Sequence, residues 1–177
     1  MGDFVPHRLH PVYERDLTLY HVYDDLSQTP YIHGYGIEVG DKNRYYMRYR
    51  HRINVRLLAN HLDWYQDEPT SFISLFGNPT AALREANRRM SRRNVYRNGY
   101  WYDRGFVSVA AIPARYLADE GVFFFSAQDL SSARMLGGRA HQLDGMLGAR
   151  EWFAMDYIPD AAVEYVVEED DLRMGIL

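Results

Sequence analysis

Apolar and polar positions alternate through LTLYHVY at 17–23 and stop at Asp24–Asp25, which predicts a strand carrying His21. A helix is expected over Asn54–Trp64. SFISLF at 71–76 is a short β-rich run bounded by Pro69 and Gly77, and strand geometry puts Ser74 on the same face as Phe72 and Phe76. Asn78 is a good N-cap and Pro79 suits the first helical position, while Leu83, Ala86 and Met90 recur at helical spacing, so a helix over 79–93 follows. FVSVAAI at 106–112 and GVFFF at 121–125 read as strands. Ala127–Leu136 reads as a helix stopped by Gly137–Gly138. EWFAMDYI at 151–158 is expected to be one strand ended by Pro159, and AVEYVVE at 162–168 another. The Pro-bearing start, residues 40–52 and the acidic run Glu168–Asp171 are expected to be irregular. Short strands with helices interspersed irregularly predict an α+β fold with mainly antiparallel pairing.

Composition narrows the chemistry. With 177 residues, 47% of them hydrophobic, the chain suits one domain with one core, an extended segment over 1–16 and an acidic tail over 168–177. Cysteine is absent, which removes disulfides, thiolate catalysis and Cys-based metal sites and fits a reducing compartment. No apolar stretch is long enough for a membrane span or a secretory signal, so an intracellular protein without membrane partners is expected. A net charge of −4 argues against a dedicated nucleic-acid binder. Neither G-x-G-x-x-G nor a P-loop follows a strand, and H-E-x-x-H and G-x-S-x-G are missing. No metal is expected from seven dispersed histidines.

Three segments, in order, resemble the ADP-ribosyltransferase fold. LYHVYD at 19–24 is similar to its first strand, FISLF at 72–76 to its Ser-Thr-Ser strand, and EWFAMDYIP at 151–159 to its catalytic glutamate strand. Glu151 followed by Ile158 and Pro159 reproduces the spacing of members related to the guanine-modifying pierisins. FFFSAQDL at 123–130, HLDW at 61–64 and the 151–163 stretch also resemble a group of fungal domains. The resemblance implies split antiparallel sheets with flanking helices. It also implies NAD as substrate, with mono-ADP-ribosyl transfer to a protein or nucleic-acid acceptor as the leading outcome. NAD hydrolysis without transfer and a non-catalytic interaction domain on the same scaffold are the alternatives.

That resemblance gives Glu151 the role of the catalytic carboxylate. Breaking the nicotinamide–ribose bond creates an oxocarbenium-like ribosyl cation, which a carboxylate stabilises mainly in the transition state. Ser74 would orient Glu151 or the ribose, with Ser71 as the fallback, and His21 would bind the adenosine-side ribose or the phosphates. Phe76, Tyr96 or Tyr100 would stack on nicotinamide, and Arg88 would hold phosphate. Arg88, Arg89, Arg92, Arg93 and Arg97 beside Tyr96, Tyr100 and Trp101 suit phosphate or nucleic acid, but a solvated helix face and a loop is the favoured reading of the segment. Three departures stand out: Ala149 where the family positions the acceptor, Ser74-Leu75-Phe76 for Ser-Thr-Ser, and His21 for Arg.

Overall fold

The computed structural model describes residues 16–42, 53–63, 68–132, 136, 139–143, 145, 146, 148 and 150–177. In chain order the elements are β1 (Thr18–Tyr23), β2 (Tyr31–Ile32), β3 (Gly36–Glu38), α1 (Val55–Leu62), β4 (Phe72–Phe76) and α2 (Pro79–Ser91). There follow β5 (Asn94–Arg97), β6 (Tyr100–Asp103), β7 (Ser108–Pro113), α3 (Ala114–Asp119), β8 (Phe124–Ser126) and α4 (Ala127–Ser132). The last are β9 (Glu151–Met155), β10 (Tyr157–Pro159), β11 (Tyr165–Val167) and α5 (Glu169–Arg173). This is an α+β fold, as the pattern predicts. One sheet runs β11-β7-β1-β4-β9-β8, a second β10-β3-β2, and β5 and β6 pair as a hairpin. The pairings between all these strands are antiparallel. No helix among the described residues is long and apolar enough to cross a membrane.

The larger sheet is buried on both faces. On β4, Ile73 and Leu75 point into a cluster shared with Leu19, Ile112 and the second sheet's Ile37 and Ile158. The opposite face of β4 divides its neighbours. Phe72 joins Phe125, Phe153, Met155 and Leu58 of α1, while Phe76 packs with Tyr20, Val22 and Ala82 and Ala86 of α2. Each fully buried ring or branched side chain contributes about 1.5–3 kcal/mol, so both helices are anchored to this face. Ser74 lies between Phe72 and Phe76, in the gap the two helices leave.

Helix α2 starts as expected: the Asn78 side chain accepts from the Ala81 amide at 2.7 Å, and Pro79 opens the first turn. Asn54 caps α1 in the same way at 3.0 Å. Other expectations need correction. The run 151–158 is two strands, because Asp156 adopts a left-handed φ of 69° and redirects the chain from the large sheet into the small one. Pro159 does not end that run outside the sheet but pairs with Gly36, where φ is 124° and a Cβ would meet the Ile158 carbonyl at 2.1 Å. Residues 94–103 form a hairpin around Asn98–Gly99, both at positive φ, where a helix face and loop were expected. The strand expected over 162–168 shrinks to β11, preceded by a single 3-10 turn. The acidic run is not irregular: Glu169 opens α5, is buried, and accepts from the Val107 amide at 3.0 Å and from Arg173 and Arg93. Gly137, Gly138 and most of residues 40–52 lie outside the described residues.

Candidate functional site

Strands β1 and β4 carry one described partner pair, Tyr20 with Phe76. Past that pair the His21 side chain bridges the strands. Its Nδ1 lies 2.8 Å from the Ser74 carbonyl oxygen and its Nε2 2.6 Å from the Thr29 carbonyl oxygen, in a residue only 3% exposed. The ring stacks on Tyr23 with centroids 5.8 Å apart. A neutral imidazole carries a single N–H, so both carbonyls are satisfied at once only by the charged ring. Burial nevertheless lowers the His21 pKa, with the two carbonyl bonds opposing it.

A second histidine arrives from the last turn of α1. His61 Nε2 lies 2.7 Å from Ser74 Oγ and Nδ1 lies 2.6 Å from Thr70 Oγ1. Its ring meets Phe72 and Phe153 edge-on, at 5.5 and 5.9 Å between centroids. Burial pushes its pKa down to about 4, and His21 adds to the shift. Neutral at ordinary pH and a weak base, His61 fixes the Ser74 hydroxyl but is poorly suited to deprotonate it.

The β4–β9 register sets Ser74 opposite Phe153 and Phe76 opposite Glu151. Ser74 and Glu151 therefore share a face, diagonally placed at about 7–8 Å. The Glu151 carboxylate accepts from the Gly148 amide at 2.7 Å, and burial raises its pKa with that amide opposing. Asp24, the residue after β1, holds the wall. Its side chain is fully buried and binds Arg104 at 2.9 Å and Arg89 at 3.1 Å. Glu85 takes Arg89 and Arg88, each at 2.7 Å.

His21, His61, Ser74, Phe76, Arg97 and Glu151 line one cleft. Of the residues singled out from sequence, the cleft gathers His21, Ser74, Phe76, Arg89, Arg97 and Glu151. Arg88 lines a second cavity, which shares Phe76 and Glu151 with the cleft. Tyr96 and Tyr100 stand on the hairpin, 60% and 69% exposed, and are not part of the cleft lining. Ser71 is buried with its hydroxyl unpartnered and lines a different cavity, beside α1. Ala149 lies outside the described residues. His61, Thr70, Asp24 and Arg104 were missed, because their roles depend on partners distant in sequence. Among the described residues no three His, Asp or Glu side chains converge as a metal-binding group.

The class of protein these elements define is an α+β domain with a polar cleft opened between two central strands. The chain belongs to the family described as Domain of unknown function (DUF7587), whose model matches residues 14–172. No curated protein matches it. A solved structure, that of EcPltA, is similar with a TM-score of 0.41 and 15% identity, covering 85% of this chain and 74% of that one.

Proposed function

We propose that this protein cleaves the nicotinamide–ribose bond of NAD and transfers the ADP-ribose to an acceptor. The observation that carries the proposal is the convergence of Glu151, Ser74 and His21, from three different strands, on one cleft. Those are the three positions at which the sequence resembles ADP-ribosyltransferases.

The cleft encloses about 140 Å³, the size of cavity that takes a single ring. It suits the nicotinamide ring of NAD, with the ribose beside Glu151 at its edge and the diphosphate running out past Arg97 and Arg89 at its lining. Phe76 offers a ring face beside Glu151. As the C–N bond breaks, its electron pair leaves with nicotinamide and positive charge builds on the ribosyl carbon and ring oxygen. The Glu151 carboxylate, half-buried where its field is weakly screened, stabilises that charge. Ser74, anchored on His61, holds the ribose. The lone pair of an acceptor nitrogen or oxygen then forms the new bond, and the acceptor's proton passes to solvent. Water in the acceptor's place gives NAD hydrolysis.

The test is nicotinamide release from NAD by the purified protein, wild type against Glu151→Gln, which keeps shape and removes charge. Loss of at least about 100-fold is expected, in line with removing one preorganised electrostatic contact. Intact NAD with both proteins across acceptors would leave the non-catalytic domain. Free against attached ADP-ribose separates hydrolysis from transfer.

A further inference from the structure

Next to Glu151, and lined by neither His21 nor His61, lies a cavity of about 500 Å³ between α2 and the segment leading into β9. Thr80, Arg84 and Arg88 line it from α2, and Arg150 and Glu151 line it from the other side. Thr80, Arg84 and Arg88 are spaced four apart, so they run along one face of the helix.

Like charges at this spacing weaken a helix unless something compensates them. Arg88 is compensated: it donates to Glu85 from Nε at 2.7 Å and from a terminal nitrogen at 2.8 Å. Arg84 and Arg150 are exposed, and neither has a carboxylate partner among the described residues. Glu85 instead takes its bonds from Arg88 and Arg89. Two guanidiniums therefore border a cavity with no fold-level role visible for either. Their planar forks match the oxygens of a phosphate, which they bind bidentately.

We infer that this cavity binds a phosphate group of the acceptor, an inference that rests on the NAD cleavage proposed above. The phosphate sits between Arg84 and Arg150, and the cavity leaves room for an attached sugar reaching toward Glu151. The acceptor then approaches the ribosyl carbon from this cavity. The phosphate could belong to a free nucleotide or to the end of a polynucleotide.

Calorimetric titration with thymidine, thymidine 5′-monophosphate and a 5′-phosphorylated thymidine hexamer tests this, alongside NAD binding and nicotinamide release. The wild type should bind the monophosphate in preference to thymidine. Arg84→Ala with Arg150→Ala should weaken that binding by at least about tenfold while NAD affinity stays within about twofold. Arg84→Lys with Arg150→Lys should recover part of it, which rules out misfolding as the cause. A hexamer bound more tightly than the monophosphate assigns the phosphate to a polymer, and equal binding assigns it to a free nucleotide. Unchanged monophosphate binding in the alanine pair overturns the inference. A parallel fall in NAD affinity also overturns it, since the cavity would then belong to NAD's own diphosphate. Phosphate binding without any nicotinamide release sinks the NAD proposal and leaves the anion site standing.

Discussion

Glu151 and Phe76 stand between two cavities built on opposite terms. On the histidine side the polar groups are spoken for: His21 on two carbonyls, His61 on two hydroxyls, Asp24 on two arginines. On the arginine side Arg84 and Arg150 are exposed and carry no ion pair among the described residues. A buried polar group needs its partner, so losing one there costs stability. An exposed unpaired cation costs the fold almost nothing, so losing one there should be felt through a ligand. The two walls can thus be told apart by what their mutations do.

The largest effect should come from the buried end of the histidine wall. Asp24→Ala leaves Arg104 partly buried without its carboxylate, takes one of Arg89's two carboxylates and removes the acceptor for the Leu26 amide. A loss of about 3–5 kcal/mol is expected from breaking such a pair. For a chain of this size that is roughly a 10 °C fall in Tm by thermal unfolding. Arg84→Ala, measured in parallel, should stay within about 0.5 kcal/mol of wild type. Equal losses in both would erase the distinction between the walls.

His61 gives the next effect, read through pH. Its pKa is held near 4 in the folded protein against about 6.5 in an unfolded chain. Between those values the unfolded chain binds the extra proton, so stability is fully present above pH 6.5 and is lost as pH falls toward 4. The loss is about 2–3 kcal/mol, the residue's partial exposure trimming the full linkage value. His61→Gln retains hydrogen-bonding groups for Ser74 and Thr70 without titrating. Urea unfolding across this window should show a shallower acid decline in His61→Gln than in wild type. Parallel declines would mean that His61 charges freely in the folded state.

How far this wall could be read from sequence follows from the range of each interaction. Strands β1, β4 and β9 and the start of α2 were legible because alternation and the Asn78–Pro79 cap are local signals. The shared face of Phe72, Ser74 and Phe76 followed from strand geometry alone. His61 was not legible, since its bond to Ser74 spans 13 residues and the helix–strand packing that closes the distance leaves no sequence periodicity. Asp24 looked like an ordinary turn residue, and only the approach of Arg104, 80 residues away, makes it a buried anchor. The hairpin was missed despite Asn98–Gly99, a strong hairpin signal, because the arginine run before it continued a helical pattern. Glu169 shows the converse case: within an acidic run resembling a solvated tail, this one side chain turned inward where Arg93 and Arg173 could meet it.

The smallest effect, and the one that joins the two walls, lies in Glu151 itself. Burial raises its pKa above the unfolded value, so the charged carboxylate is less comfortable in the fold than in water. A carboxyl with a raised folded pKa contributes stability that is present below the unfolded pKa and lost as pH rises through the folded one. Glu151→Gln removes that loss. It should therefore be slightly more stable than wild type at neutral pH, and the gain should vanish in acid, below about pH 4 where both side chains are neutral. Chemical unfolding at neutral and acid pH reads the difference. A variant less stable than wild type at neutral pH would instead make Glu151 a support of the β9 entry through its bond to the Gly148 amide.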